Sequence, residues 1–357
     1  MAASTFPQKQ KGVWFARDGC TLREFDVTQP GPGEVLVQNV AVASNPKDWK
    51  VTRLWYDKLG WEGIEGNDVA GYVAAVGEGV TEFKLGDRVA AFTKMGQPHP
   101  KWGGYQQYST APAGTTFPLG PSTSFEAAAT LPLALATAFI GLYRSLGLPA
   151  FTDTAGREKE KVRGTPILVY GASSSVGAYA VQLAKLSGMY VVGVAGGSKE
   201  YARSVGADVV VDYRGKTREE VGNAVAEALE GRGPLHYVYN AVATPETNQI
   251  SVDVLRKDGG KLTHSHEWPE SVDVPPNVEH IRTGVWTVHG EDAEFATAMY
   301  CAIAPLVESG AFKPNRVRLV PGGLTGVPQG VEMLAREEEV YTVENSSGAG
   351  AKLAVKS

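Results

Sequence analysis

"VYGASSSVGAYAVQLAKLSG", residues 169–188, decides the fold. It reads as the end of a strand, a tight turn from Gly171 to Gly177, and a helix with Ala180, Leu183 and Ala184 on its apolar face. A phosphate is held by the free N–H groups and partial positive charge at a helix N-terminus, where small side chains let the backbone come close. Serines occupy 173 to 175, where a dinucleotide-binding loop usually has a glycine. Serine keeps the close approach and adds hydroxyl donors. An ordinary strand-to-helix connection has the same outline, so the surrounding rhythm has to decide.

That rhythm runs strand, turn, helix from Thr165 onward: "PILVY", the serine turn and its helix, "YVVGVAG", "KEYARSVGA", "DVVVDY", then strands at "HYVYNAV" and "GKLTH". Continuous apolar strands alternating with helices of this length predict an α/β, doubly wound parallel sheet of the dinucleotide-binding (Rossmann) kind. The second strand then bears on the cofactor. An acid at its end would hold the 2'-hydroxyl of NAD, whereas a 2'-phosphate needs cations and hydroxyls. The chain has "VAGGSKEYA", with Ser198 and Lys199 ahead of the first acid, Glu200, and this favours NADP(H). The bland alternative is that Ser198 caps the next helix and Lys199 is solvated.

Upstream, residues 11–113 read as short strands broken by turns, such as "EVLVQNVAVAS", "PGPGE" and "VAGYVAAVGEGV", which predicts a β-rich, partly barrel-like domain. An uncharged stretch at 127–143, about 17 residues with Pro132 inside it, falls short of the ~20 that span a bilayer and reads as a buried helix. "PAFTDTAGREKEKVRG", residues 149–164, reads as an exposed loop. A C-terminal strand closing on the first domain would make that domain discontinuous. The expected boundaries are 1–133, completed by 304–357, for the β-rich domain and 134–303 for the cofactor domain.

Composition sets outer limits. The 357 residues are 43% hydrophobic and 20% charged, with net charge -5, and offer no basic surface for nucleic acid. Two cysteines, Cys20 and Cys301, cannot build a four-thiolate zinc site, and they suit a reducing compartment. The N-terminus lacks the apolar core of a signal peptide, so the cytosol is the expected location, with no membrane partner.

With strand end, turn and domain order in place, the chain resembles the medium-chain dehydrogenase/reductase superfamily over nearly its whole length. Within it the resemblance is closest to the zinc-free quinone-reductase-like branch and its fungal trans-acting enoyl reductases. "SNPKDWK" (44–50), "EGNDVAGYVAAVGEGVTEFKLGDRV" (65–89), "GGYQQY" (103–108), "LPLALATAFIGLY" (131–143), the serine turn, "SVGADVVVDYR" (204–214) and "AKLAV" (351–355) carry it. The first domain is then expected to be the GroES-like catalytic domain. Zinc alcohol dehydrogenases place a cysteine near Ser44 and a Gly-His-Glu where this chain has Gly66, Asn67 and Asp68, so metal ligands are missing. Of the six histidines only His264 and His266 approach a ligand spacing, and they read as loop. No metal is expected.

The resemblance implies roles residue by residue. Pro46, Lys47, Asp48, Trp49 and Thr137 should meet the nicotinamide end of NADPH. Ser173, Ser174, Ser175 and Val176 should hold the pyrophosphate, with Ser198 and Lys199 at the 2'-phosphate and Tyr213 on the adenine or that phosphate. Ala134, Leu135, Ala136, Phe139, Ile140, Gly141, Gly284, Val285, Trp286, Thr287 and Val288 should line an acyl pocket. The implied chemistry is conjugate reduction, with backbone N–H groups or the Lys47 ammonium stabilising the charge on the carbonyl oxygen. A proton must also be returned. Mitochondrial-type enoyl reductases of the superfamily use a tyrosine eleven residues after the asparagine of their "NP" loop, which here is Tyr56; water is the alternative donor.

Three functions stay open. The first is an NADPH-dependent enoyl reductase, acting in trans with a polyketide synthase. The second is a quinone or small-enone reductase. The third is a non-catalytic NADPH-binding scaffold. Both monomer and homodimer fit.

Overall fold

The computed structural model describes residues 6–54, 62–96, 99–153, 157–340 and 352–356. Two compact units emerge: residues up to Leu133 together with those from Trp286 onward, and Ala134–Val285.

Among the described residues the first unit has ten strands. β1 (Lys9–Ala16), β2 (Gly19–Asp26) and β4 (Gly63–Ile64) make a small antiparallel sheet, with β1 in the middle. β3 (Glu34–Ala43), β5 (Asp68–Val76), β6 (Arg88–Phe92), β7 (Tyr108–Pro112) and β8 (Thr116–Pro118) form the body of a second, curled sheet. β3 pairs β5 and β7, and its register against β5 shifts at Leu36/Val37 and at Asn39/Ala41. Such irregularities bend a strand and increase its twist, which curls the sheet around its own contents. Val35, Val37, Val42, Val69, Val89, Ala91 and Tyr105 fill that interior and are buried.

The second unit is one parallel sheet in the order β11-β10-β9-β12-β13-β14. Its strands are β9 (Pro166–Tyr170), β10 (Tyr190–Ala195), β11 (Val209–Asp212), β12 (Tyr237–Asn240), β13 (Gly260–His264) and β14 (Val278–Arg282). β9 is buried along its whole length, as a strand covered by helices on both faces must be. The order winds outward in both directions from β9, so the strand order reverses at its C-terminal end, where doubly wound sheets open a crevice for a nucleotide. The expected strands and helices of this unit are present. β14 had no clear signal, since "VEHIR" is polar at three of five positions.

The last two strands, β15 (Val317–Val320) and β16 (Lys352–Lys356), return to the curled sheet, with β16 pairing β3 antiparallel and β15 parallel. The chain rejoins the first unit earlier than its sequence suggests. Residues 286–303, read as part of the cofactor domain, pack with the first unit: Phe92 meets the His289 ring at 4.7 Å, and Tyr300 stacks on Phe117 at 5.0 Å. Tyr300 also donates to the Pro132 carbonyl (2.8 Å) and Thr297 to that of Gly114 (2.9 Å). The helix Ala293–Glu308 buries Met299, Tyr300 and Ile303 against this surface, which composition alone does not reveal.

Phe125–Ser145 is long and apolar enough to cross a membrane, but 83% of its most apolar window is buried, as in a core helix. The stretch 149–164, read as loop, contains the short helix Arg157–Val162. The uncharged helix Pro132–Phe139 continues as a π-helical turn, Ile140–Ser145. The turn lies where Gly141 lets Tyr239 come close: a Cβ on Gly141 would stand 2.4 Å from Tyr239 Cε2. Tyr239 uses that approach to donate to the Thr137 carbonyl at 2.8 Å. Gly141→Ala should therefore overpack a rigid contact and cost about 1–3 kcal/mol, read as a lower melting temperature in calorimetry. An unchanged melting temperature would show that the contact yields.

Candidate active-site elements

In the second unit the serine turn is shaped by its two glycines. Gly171 has φ +76°, and a Cβ there would lie 2.5 Å from Val242 Cγ2. A Cβ on Gly177 would lie 2.1 Å from the Gly171 carbonyl oxygen, so the helix Ser175–Leu186 can sit this close to the turn only with glycine at that position. Ser174 is the N-cap, its Oγ accepting from Gly177 N at 3.1 Å. The three serines therefore do not act alike: Ser174 stabilises the helix start and keeps its hydroxyl proton as a donor for another partner. Ser173, Ser174, Ser175 and Val176 are all partly exposed, in a turn whose first helical N–H groups have no intrahelical acceptor.

β10 ends beside the loop carrying Ser198 and Lys199. Ser198 precedes the helix Lys199–Ser204 but makes no side-chain cap, which removes the bland reading of this serine. Lys199 Nζ pairs with Asp212 Oδ2 at 3.3 Å, so it is not merely solvated. Tyr213 is half-buried and stacks on Tyr170 at 6.3 Å. A cation that the sequence reading passed over, Arg214, also binds Asp212, with Nη2 to Oδ2 at 2.7 Å and Nε to Oδ1 at 3.0 Å. The signal was present as the last letter of "VVVDYR", but nothing in the spacing tied it to the loop after β10.

In the first unit the "NP" loop opens the helix Pro46–Arg53, with proline at the first helical position and Asp48 accepting from the Asn45 N–H at 2.8 Å. Lys47 forms ion pairs with Glu65 and, at 3.0 Å, with Asp48 Oδ1. Tyr105 Oη stands 2.7 Å from Asp48 Oδ2 and 2.8 Å from Ser44 Oγ. A carboxylate can only accept, so the tyrosine donates to Asp48 and receives from Ser44. Burial, reinforced by Asp48, holds the Tyr105 hydroxyl well above its ordinary value. Burial alone would lower Lys47, but Glu65 and Asp48 reverse this and keep it protonated. One cation faces two anions, and burial with the Asp48 charge pushes Glu65 up despite the lysine.

Trp49 packs against the apolar core of this unit. The residues aligned with zinc ligands are tied into the protein's own hydrogen bonds. Asn67 Nδ2 donates to Thr93 Oγ1 (3.0 Å) and to the Lys94 carbonyl (3.2 Å). Asp68 accepts from Asn45 Nδ2 (3.0 Å) and from the Leu133 N–H (2.7 Å). Among the described residues no three His, Cys, Asp or Glu are grouped to hold a metal ion. His264 closes β13, with Nδ1 2.9 Å from the His266 carbonyl and Nε2 3.4 Å from His280 Nδ1; burial pushes it down to about 4.

The expected acyl-pocket residues divide. Ala134, Leu135, Ala136, Phe139 and Ile140 are at most 2% exposed, and with Gly141 they belong to the second unit's core, as does buried Gly284 beside half-buried Val285. Trp286 and Thr287 belong to the first unit and line a cavity of about 410 Å³ with Lys94, Met95, His289 and Glu291; Val288 is buried beneath. Burial, with the Lys94 charge nearby, pushes His289 down to about 4, so this imidazole is neutral at physiological pH. Thr137 is buried, and Tyr56 lies outside the described residues.

A curled antiparallel sheet with a doubly wound cofactor unit defines a medium-chain dehydrogenase/reductase. Residues 31–121 match the alcohol dehydrogenase GroES-like domain, and residues 175–264 match the family described as zinc-binding dehydrogenase. Trans-enoyl reductase fsr4 of Gibberella fujikuroi is 35% identical over 305 residues, covering 84% of this chain and 87% of that protein. Among solved structures, CurK enoyl reductase superposes with TM-score 0.75 at 19% identity, over 98% of this chain and 99% of that one. An alcohol dehydrogenase superfamily protein from Novosphingobium aromaticivorans gives 0.74 at 23%, over 98% and 99%. The chain belongs to the medium-chain dehydrogenase/reductase superfamily, with the fungal trans-enoyl reductases.

Two outcomes follow from these contacts. Lys47→Met should leave Glu65 and Asp48 without their counter-charge and cost about 3–5 kcal/mol in chemical denaturation; adding Glu65→Gln should recover part of that loss. His264 is neutral when folded, whereas an imidazole exposed to water titrates near 6.5. The unfolded chain therefore binds the extra proton between about pH 6.5 and 4, and stability should fall as pH drops through this window. His264→Gln should flatten that slope in urea midpoints measured at several pH values, and an unchanged slope would contradict the assignment.

Proposed function

We propose that the protein is a zinc-independent, NADPH-dependent reductase of α,β-unsaturated, enoyl substrates that acts in trans on chains carried by a polyketide synthase. The observation that carries the reaction class is the 35% identity, over most of both chains, to a protein named as a trans-enoyl reductase. The geometry supports the cofactor. Gly171 and Gly177 shape a turn in which a pyrophosphate can approach the backbone of Ser173 to Val176, and Ser198 and Lys199 stand where an NAD enzyme would place an acid. The roles of Pro46, Lys47, Asp48, Trp49, Thr137 and Tyr213 toward the cofactor belong to the same proposal.

Bound NADPH supplies the hydride. The chain's own task is electrostatic. Lys47 stays protonated, and its pairs with Glu65 and Asp48 fix the ammonium in place, leaving one N–H for an enolate oxygen. Asp48 and Tyr105 position that lysine. Ser44, Asp68 and the amide nitrogen of Asn67 are engaged in hydrogen bonds of the fold, which suits a reductase that polarises its acceptor through hydrogen bonds. Trp286 and Thr287 offer the first unit's cavity to the acyl part of the substrate. Tyr56 is the proposed proton donor, with water as the other source.

The decisive assay follows NADPH oxidation with enoyl thioesters of increasing chain length, simple enones and quinones, with NADH as control. Turnover of enoyl thioesters with NADPH is the expected result, together with a loss of at least about 100-fold in kcat for Tyr56→Phe if the tyrosine donates the proton. Turnover of quinones alone would make the protein a quinone reductase. Tight NADPH binding with no turnover of any acceptor would make it a scaffold.

A further inference from the structure

The second unit holds two cations on one carboxylate at the edge of the loop after β10. Asp212, the last residue of β11, accepts from Arg214 through both its oxygens and from Lys199 through Oδ2, and it also accepts from the Arg214 backbone N–H at 3.1 Å. The two parallel bonds, Nε to Oδ1 and Nη2 to Oδ2, are the geometry in which a guanidinium is fixed most firmly. They use one edge of the fork and leave Nη1 on the other. That remaining edge faces the loop: a Cβ built on Gly197 would lie 3.7 Å from Arg214 Nη1, and one built on Gly196 would lie 3.0 Å from Tyr213 Cζ and Oη. This strip of backbone at Gly196 and Gly197 is bordered by a phenol and a guanidinium, and the Lys199 ammonium is held on the same carboxylate as the guanidinium.

We infer that Arg214 is a specificity-determining residue that grips the 2'-phosphate of NADPH through Nη1, opposite Lys199, while Asp212 positions both cations. This rests on the NADPH reading given above. The charge balance agrees with it, because one carboxylate and two cations leave a net positive charge beside the strip, which a phosphate can neutralise and a ribose hydroxyl cannot. Asp212 is an acid close to the ribose end of the site, a feature that would ordinarily favour NAD. Its oxygens are already committed, and the hydrogen bonds from Arg214 hold it well below the usual carboxylate range, so it is a poor acceptor for a 2'-hydroxyl.

The test is a pair of fluorescence titrations, NADPH and NADH, on the full chain and on Arg214→Ala and Arg214→Lys. A hydrogen-bonded charge pair lost at the phosphate should weaken NADPH about ten-fold or more in Arg214→Ala, leave NADH within about two-fold, and place Arg214→Lys between. Two results would overturn the inference. If the unaltered chain prefers NADPH and Arg214→Ala keeps that full preference, Arg214 has no part in it. If Arg214→Ala weakens both cofactors equally, the residue only supports the fold. Equal affinity of the unaltered chain for NADPH and NADH would instead remove the cofactor reading itself, and is distinguished by needing no variant.

Discussion

One ammonium enclosed with two carboxylates constrains the first unit more than any other interaction. Lys47, Glu65 and Asp48 come from a helix start and from the loop ahead of β5, and Tyr105 adds a third segment through Asp48. Removing charges from water costs several kcal/mol each, and only close pairing with further hydrogen bonds offsets it. The three segments can satisfy these groups only in one arrangement. The "NP" loop therefore holds its shape through electrostatics, while the apolar interior of the curled sheet supplies the bulk of the burial.

The second unit rests on steric closeness where the first rests on charge. Its turn is defined by what glycine omits at 171 and 177, its π-helical turn by what glycine omits at 141, and its loop by the open backbone at 196 and 197. At 171, 177 and 141 a neighbour fills the space, Val242, a carbonyl and Tyr239 in turn, whereas at 196 and 197 Tyr213 and Arg214 stand at the border of the backbone. Ser174 shows how function and structure share a residue, since the cap that starts the helix stands in the turn proposed for the pyrophosphate.

Much of this was legible in sequence where the signal is periodic or local. The apolar strands around β9, the helix after the serine turn and the glycines flanking it follow from spacing and from turn chemistry. Pairings across long sequence separations were not legible. Glu65 carries no mark in "EGNDVAG" as the partner of Lys47, and Tyr105 reads as one aromatic among several. The return of the chain at Trp286 escaped for a related reason: the helix Ala293–Glu308 is apolar on one face, and periodicity says that a face is buried without saying against which sheet. Arg214 was passed over because its partner carboxylate and its loop meet only once β10 and β11 are paired.

β16 has a consequence for how the protein is made. Residues 352–356 lie between β15 and β3 in the curled sheet, so the last residues of β3 wait for a strand that is made long after them. The parallel sheet of the second unit, drawn from a single intervening segment, has all its strands as soon as Arg282 leaves the ribosome. Domains form in order of availability during synthesis, and pairings across great sequence distance are slow. The nascent chain thus carries an unfinished sheet edge along β3 while the cofactor unit is already formed. Of the two units, the first is the one whose exposed edge needs protection until β16 has been made.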